Sequence, residues 1–175
     1  LFGAIGGYSY DDIPRPIRVE TGLLSVRRKL AMFANIRPII AFDVLANATS
    51  LKPEVVRGTD MIILRELNGG LYFGEPRGVE EIGEGSRRGV NSMVYTSPEI
   101  RRVARVGFEL AKKRGGHLTS VDKANALEVS ALWRDEVTKL GAEEYPDIQL
   151  NHLYVDNAML QVVRDPKQFD VVVTE

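Results

Sequence analysis

The sequence contains no cysteine, and histidine occurs only twice, at His117 and His152. The absence of cysteine excludes a disulfide framework, a thiol nucleophile, iron–sulfur ligation and any zinc site that uses cysteine. Two histidines are too few for a poly-histidine metal site or an extended histidine relay. A Ser–His–Asp triad needs only one histidine, but the sequence has no Gly-x-Ser-x-Gly nucleophile elbow.

Long apolar runs and an excess of one charge are also missing. Apolar runs such as Met61–Leu64 and Val171–Val173 are far too short to span a bilayer, and no basic-then-apolar leader opens the chain. The 23 basic and 24 acidic residues give a net charge of −1, which argues against binding to nucleic acid or to a membrane surface. We therefore expect a cytoplasmic protein with neither as a partner.

What is present indicates an α/β fold. The 175 residues are 44% hydrophobic and 27% charged, as in a single folded domain. Short β-type runs alternate with segments of helical period, which predicts helices covering the faces of a sheet. Strands are predicted at Leu1–Ile5, Pro38–Phe42, Asp60–Leu64, Ser92–Tyr95, Leu118–Val121, Gln149–Val155 and Phe169–Thr174, and loops at Tyr8–Glu20 and Gly83–Asn91. Helices are predicted at Leu23–Phe33 with Thr21 as N-cap, from Ser97 as N-cap to Gly115, at Leu127–Leu140 and at Ala158–Val163.

Three arginines attract attention as possible ligand-binding groups. Arg37 and Arg65 lie at the edges of predicted strands, where α/β folds commonly place ligand sites, and Arg27 lies on the helix after Gly22. Guanidinium groups bind carboxylates through two parallel hydrogen bonds, so convergence of all three would suit a small di- or tricarboxylic acid. Solvated surface charges are the commoner outcome for arginines at such spacing.

A glycine-rich segment at 65–78 follows a predicted strand and contains Tyr72. Repeated glycines after a strand indicate a sharply shaped loop. A tyrosine in such a loop can serve as a proton donor. The alternative, which the residues alone favour, is an aromatic ring packed beneath a turn.

Two predicted strand-to-helix transitions carry further polar groups. Lys123, held near other cations, could act as a base, whereas the commoner outcome is a solvated lysine beside Asp122 as a helix cap. Asp156 is a candidate metal ligand or N-cap in a segment of the same shape. A lone carboxylate is weak evidence for a metal site, because magnesium needs several oxygen ligands.

Taken together, these segments resemble the 3-isopropylmalate dehydrogenases, within the decarboxylating β-hydroxyacid dehydrogenases that also include isocitrate dehydrogenase. Seven stretches match in the family's order and cover nearly all of the chain. They are LFGAIGG, VETGLLSVRR, FANIRP, RELNGGLYFGEPRG, TSVDKANALEVSALWR, EYPDIQL and YVDNAMLQVVRDPKQFDVVVT. The resemblance implies oxidative decarboxylation of 3-isopropylmalate with NAD, in leucine biosynthesis.

The resemblance also implies roles for the residues already singled out. Arg27, Arg37 and Arg65 match the three arginines that bind the substrate carboxylates. Tyr72 matches the tyrosine that protonates the enolate after decarboxylation.

Further matches involve a second subunit and the cofactors. Lys123 matches the residue that relays the hydroxyl proton, and Asp156 matches one aspartate that binds Mg²⁺ or Mn²⁺. In the family both serve the active site of the neighbouring subunit, which implies a homodimer. Asn125 resembles a residue near the nicotinamide.

Substrate choice is implied by three matches at and just before the first predicted helix. Glu20, Leu23 and Leu24 match the positions around the isopropyl group. The two leucines favour an apolar substituent over the third carboxylate of isocitrate. An apolar pocket discriminates only modestly, so isocitrate, homoisocitrate or tartrate remain alternative substrates.

The chain departs from the family at several positions and at its ends. Tyr8 replaces a usual proline, and Asn68 stands where threonine is more familiar. The family's opening strand with its Gly-Asp-Gly-Ile-Gly-Pro signature is absent, as is the Gly-Asp-x-x-Ser-Asp segment with the other metal aspartates. We therefore expect a piece of a longer enzyme, inactive alone, and an inactive dimerising fragment is the alternative. Residues 1–31 would belong to the cofactor domain and 32–175 to the substrate and dimerisation domain, including an interlocking arm at 74–95.

Overall fold

The computed structural model describes residues 6–14 and 17–175, so the strand expected at 1–5 lies outside the described residues. Seven strands form, at β1 (Ala34–Ile40), β2 (Asp60–Glu66), β3 (Gly74–Gly83), β4 (Ser86–Ser92), β5 (His117–Asp122), β6 (Gln149–Tyr154) and β7 (Val171–Thr174). Five α-helices accompany them, at α1 (Val19–Lys29), α2 (Pro53–Val56), α3 (Ser97–Lys112), α4 (Glu128–Glu144) and α5 (Val155–Arg164).

Five of the strands make one mixed sheet in the order β1-β2-β7-β5-β6. Strand β1 runs antiparallel to β2, whereas β2, β7, β5 and β6 run parallel to one another. In register, Arg65 pairs with Thr174, and Thr174 pairs with Val121. The carboxyl ends of the four parallel strands therefore meet at one edge of the sheet.

Helices cover both faces of this sheet, which confirms the predicted α/β class. On one face, α3 and α4 pack over the strands around the fully buried side chains of Phe108 and Trp133. A Cβ on Gly107 would lie 3.2 Å from Leu118, so glycine there allows α3 to approach the sheet closely. On the other face, Ala158 of α5 belongs to a smaller buried cluster with Met61 and three further residues.

Helix α3 begins with a capping box rather than with Ser97 as cap. Thr96 is the N-cap, and its backbone N–H donates to Glu99 Oε2 at 2.8 Å. The prediction of Ser97 as N-cap was therefore wrong by one residue, and Pro98 is the second residue of the helix.

The first helix differs more from its prediction. Thr21 does not cap it, because α1 already begins at Val19, after an extended Arg18 whose Nε donates to the carbonyl of Ile13 at 2.7 Å. The helix ends at Lys29 rather than Phe33, because Ala31 adopts a left-handed conformation with φ 49°. The expected loop at 8–20 contains a 3₁₀ turn at Tyr8–Tyr10 as well as this helix start.

A two-stranded hairpin of β3 and β4 stands apart from the main sheet. The expectation of a loop at 83–91 followed by a strand at 92–95 was wrong, because strand β4 ends at Ser92. The turn uses positive φ at Gly83, Glu84 and Gly85. Arg88 pairs with Glu80 across the strands at 3.2 Å.

The remaining predicted elements form within a few residues of their expected bounds. Strand β1 begins at Ala34, before the expected Pro38, and α4 begins at Glu128, so Asp122 does not cap it. In residues 6–14 and 17–175, no helix has the length and apolar character needed to cross a membrane.

Candidate functional site at the carboxyl edge of the sheet

Three of the sequence-predicted polar residues lie along one edge of the main sheet, whereas Arg37 lies in the middle of β1, paired with Ile63. Arg65 is next to last in β2, Lys123 directly follows β5, and Asp156 lies just beyond the end of β6. Carboxyl ends of parallel strands are the usual place for ligand sites in α/β proteins.

Arg65 and Tyr72 contact each other at this edge. The loop after β2 turns back through a 3₁₀ turn at Gly70–Tyr72, which places the Arg65 guanidinium carbon 5.0 Å from the centre of the Tyr72 ring. The ring is 48% exposed, so it is not packed beneath the turn. An exposed aromatic beside a guanidinium is available to a ligand.

The positive charges of all three candidate arginines act on Tyr72, and Arg65 has the largest effect. A hydrogen bond and the positive charge of Arg65 lower the pKa of the Tyr72 hydroxyl, and the charges of Arg27 and Arg37 lower it further. Arg27 comes from α1 and Arg37 from β1, so three separate elements contribute. A phenol with a lowered pKa is a better proton donor than an ordinary tyrosine.

The loop that carries Tyr72 is held by Glu66, which sequence reasoning did not single out. The side chain of Glu66 is fully buried, and its Oε2 accepts hydrogen bonds from the backbone N–H groups of Asn68 and Gly69, both at 2.8 Å. Its Oε1 lies 3.4 Å from Arg102 of α3. The one signal in the sequence is a glutamate placed just after the predicted strand Asp60–Leu64.

Tyr95 packs its ring against the same loop, at Gly69 and Gly70. A Cβ on Gly69 would lie 2.5 Å from the Tyr95 ring, so residues with side chains do not fit there. Burial and the neighbouring carboxylate of Glu66 raise the pKa of Tyr95. The loop therefore has a defined shape, fixed by one carboxylate and one aromatic ring.

Lys123 and Asp156 form a second cluster. The Lys123 ammonium donates a hydrogen bond to Asp156 Oδ1, and this bond lowers the pKa of the Asp156 carboxyl. Lys123 is therefore paired rather than merely solvated, and its partner Asp156 is the candidate metal ligand. Asn125 is exposed on the turn that follows Lys123.

The turn that carries Lys123 is tied to the body of the protein through Asp122. This buried carboxylate accepts from the Ala124 backbone N–H at 2.9 Å and from Arg134 of α4 at 2.9 and 3.0 Å. The Arg134 guanidinium carbon also lies 4.6 Å from the centre of the Tyr154 ring. Residue type alone gave no reason to select Arg134 or Tyr154.

The residues expected around an apolar substituent lie on α1. Leu23 and Leu24 are half-buried, and Glu20 is exposed with its carboxylate against Gly6. Arg27 follows the two leucines by four and three residues, so all three side chains lie on one side of the helix. An apolar contact and a guanidinium are therefore available side by side.

The two clusters are not in contact. Strand β7 lies between β2 and β5, so Arg65 and Lys123 belong to strands about 10 Å apart. Between the arginine group with Tyr72 and the Lys123–Asp156 pair, no hydrogen bond or ion pair occurs in the described part of the chain.

A divalent metal would find an incomplete set of ligands here. Within residues 6–14 and 17–175, no group of three or more histidine, aspartate or glutamate side chains is placed to hold a metal ion. Asp156 offers one carboxylate, and Mg²⁺ requires near-octahedral oxygen coordination. The described residues alone therefore do not make a metal site.

A mixed sheet with helices on both faces places the chain among the α/β proteins. More specifically, the chain belongs to the isocitrate/isopropylmalate dehydrogenase family, whose model matches residues 1–175.

Individual relatives agree with this assignment. The 3-isopropylmalate dehydrogenase of Paramagnetospirillum magneticum is 56% identical over 175 residues, covering 100% of this chain and 47% of that protein. The 3-isopropylmalate dehydrogenase of Thermosynechococcus vestitus is 59% identical over 174 residues, with 99% and 48% covered. The chain thus spans about half the length of these relatives. The solved TT0538 protein of Thermus thermophilus has a TM-score of 0.75 at 26% identity, covering 93% of this chain and 31% of that one.

Proposed function

We propose that this chain supplies part of the active site of an enzyme that oxidises and decarboxylates 3-isopropylmalate to 4-methyl-2-oxopentanoate with NAD, in leucine biosynthesis. The observation that carries the proposal is the contact of Arg65 with Tyr72, with Arg37 two residues along β1 from Asn35, the cross-strand partner of Arg65. Membership of the dehydrogenase family and the names of its relatives support the choice of reaction.

The arginines bind and orient the substrate. 3-Isopropylmalate carries two carboxylates, and guanidinium groups from three elements neutralise and fix such a dianion. Leu23 and Leu24, on the same side of α1 as Arg27, provide an apolar contact for the isopropyl group. Glu20 lies on the same helix, one turn before Leu24.

Lys123 and Tyr72 carry the two proton transfers in this proposal. Only a neutral amine can accept the proton of the substrate hydroxyl, so in this proposal Lys123 first releases Asp156 Oδ1 and gives one ammonium proton to solvent. After loss of carbon dioxide, Tyr72 gives its proton to the carbon of the enolate, helped by the pKa-lowering effect of Arg65. When bound, a nicotinamide would supply the hydride acceptor, and a divalent cation would supply polarisation of the substrate hydroxyl.

The cofactors are proposed with the contacts that this chain can offer. Asp156 is one carboxylate ligand for Mg²⁺ or Mn²⁺, with the other ligands contributed from outside the described residues. Asn125, exposed on the turn after Lys123, would contact the nicotinamide of NAD.

A homodimer with shared active sites is also part of the proposal. Helix α5 exposes Val155, Met159 and Val163, four residues apart, to 40%, 63% and 52%. Such an apolar stripe on the helix that carries Asp156 suits contact with a second copy of the chain. The hairpin at 74–92 and its continuation to 95 would be the interlocking arm, residues 1–31 part of the cofactor domain, and 32–175 the substrate and dimerisation domain.

The test is a substrate panel on the protein as its gene encodes it. With Mg²⁺ or Mn²⁺ present, reduction of NAD and NADP is measured with 3-isopropylmalate, isocitrate, homoisocitrate and tartrate. The proposal expects the highest kcat/KM with 3-isopropylmalate and NAD, with 4-methyl-2-oxopentanoate as product. A preference for isocitrate, homoisocitrate or tartrate would establish a sibling enzyme, and no turnover of any of the four would favour a non-catalytic dimerising protein.

A further inference from the structure

Arg134 connects the two strand ends that carry Lys123 and Asp156. Asp122, the last residue of β5, is paired in register with Tyr154, the last residue of β6. From α4, the Arg134 guanidinium donates two hydrogen bonds to the Asp122 carboxylate, at 2.9 and 3.0 Å. The same guanidinium lies over the Tyr154 ring, 4.6 Å from its centre. One side chain therefore bridges two neighbouring strands at the site edge.

Each end of this bridge lies next to a candidate catalytic group. On one side, Asp122 also accepts the backbone N–H of Ala124, so the backbone is fixed immediately before and after Lys123. On the other side, Tyr154 directly precedes α5, and Asp156 is the second residue of that helix. A shift of either strand end would change the separation of the Lys123 ammonium and the Asp156 carboxylate.

We propose that Arg134 is a positioning residue that holds Lys123 and Asp156 in register through Asp122 and Tyr154. Its effect on turnover rests on the proposed function, whereas its effect on the Lys123–Asp156 contact does not. Arg105 offers a contrast, because its two hydrogen bonds to Glu144 join α3 to the far end of α4. That pair connects two helices and contacts neither strand end.

The choice of variant must separate positioning from folding. Removing Arg134 leaves the Asp122 carboxylate buried without its cation, which destabilises the fold and obscures the result. Changes at Tyr154 avoid this problem because they leave the Arg134–Asp122 ion pair intact. Tyr154→Leu removes the ring under the guanidinium, and Tyr154→Phe keeps it. Arg105→Met serves as the control for loss of an arginine contact away from the site.

The first readout is independent of activity. Pulsed acetylation with acetic anhydride at a fixed neutral pH, followed by peptide mass spectrometry, measures how fast each lysine reacts in the gene-encoded protein. Tyr154→Leu should raise the rate at Lys123 about threefold, as expected for loss of an exposed ion pair. Lys139, paired with Asp135 one turn apart on α4, should react at an unchanged rate in every variant.

The second readout is the division between kcat and KM. Tyr154→Leu should lower kcat about tenfold, because a misplaced catalytic group slows the reaction step, and should leave KM within about twofold, because the substrate arginines lie on other elements. Tyr154→Phe should retain the parental kcat and KM, and Arg105→Met should match the parental protein in both readouts.

Three results would overturn the inference. They are an unchanged Lys123 labelling rate in Tyr154→Leu, an unchanged kcat in that variant, or equal impairment in Tyr154→Phe. If the parental protein does not oxidise 3-isopropylmalate, the proposed function fails, and the labelling comparison still decides whether Arg134 positions Lys123.

Discussion

Glu66 offers a quantitative test of how the fold shapes the candidate site. Its buried carboxylate accepts the backbone N–H groups of Asn68 and Gly69 at 2.8 Å and lies 3.4 Å from Arg102. Tyr72 lies at the far end of the loop that these bonds begin. Glu66→Ala should therefore reduce both the stability of the protein and the activity that depends on Tyr72.

The size of the effect follows from the groups that lose a partner. A buried donor without an acceptor costs about 1–3 kcal/mol, and the Gly69 donor is buried while the Asn68 donor is partly so. Arg102 is 34% exposed, so solvent replaces much of its lost ion pair. We expect Glu66→Ala to lower the free energy of unfolding by about 2–4 kcal/mol. Glu66→Gln, which keeps an acceptor oxygen, should cost about 1 kcal/mol.

The assay is urea denaturation of the gene-encoded protein, followed by circular dichroism. Glu144→Ala is the matched control, because it removes an exposed glutamate that is also paired with an arginine. The reasoning would be refuted if Glu66→Ala were no more destabilising than Glu144→Ala. It would also be refuted if Glu66→Gln cost as much as Glu66→Ala.

Three further predictions concern the site and its surroundings. Lys123→Met should lower kcat by about 10²–10⁴-fold, as for loss of a general base. The melting temperature should change little, because the pair with Asp156 is exposed. A large loss of stability would indicate a structural lysine instead. Changing Leu23 and Leu24 to serine should lower kcat/KM for 3-isopropylmalate about tenfold or more relative to substrates without the isopropyl group, and unchanged specificity in steady-state assays would contradict the pocket assignment. Burial, with a smaller effect of the Arg134 charge, lowers the pKa of His152 below its ordinary 6.5. The unfolded chain therefore binds this proton more readily than the folded protein. Stability that is present above pH 6.5 should be lost as the pH falls through the lowered pKa. Urea denaturation between pH 7 and pH 5 should show this loss in the parental protein and a weaker one in His152→Gln, whereas equal slopes would refute the assignment.

The polar residues at the sheet edge could be predicted because short stretches of sequence indicate where the strands end. Arg65, Lys123 and Asp156 each lie just after a short predicted strand, and parallel strands bring such positions to the same edge. The start and end of α3 could also be predicted to within a few residues, because proline favours the first turn of a helix and glycine favours its end. These features depend on residues that are near each other in the chain.

The supports of the site could not be predicted because they join distant residues. Glu66 meets Arg102 across 36 positions, and only packing of α3 on the sheet brings them together. Arg134 reaches Tyr154 in the same way, through the packing of α4 against the ends of β5 and β6. A charged residue on a helix looks the same in sequence whether it points to solvent or to a buried carboxylate.

The hairpin and the first helix show a second reason for failure. Strand β4 at Ser86–Ser92 is mostly exposed, so it lacks the alternation of apolar and polar residues that usually reveals a strand. Helix α1 starts without a side-chain cap, after Arg18 is anchored to the carbonyl of Ile13. In both places the backbone is fixed by contacts that leave no local pattern.

The role of Tyr72 as proton donor is the claim that most directly tests the proposed reaction. In a single turnover of the gene-encoded protein with Tyr72→Phe, formation of reduced dinucleotide and of protonated product are followed separately. The account predicts that reduced dinucleotide forms at least about tenfold faster than the protonated product, because only the step that needs the phenol proton is slowed. Equal slowing of both steps would contradict it.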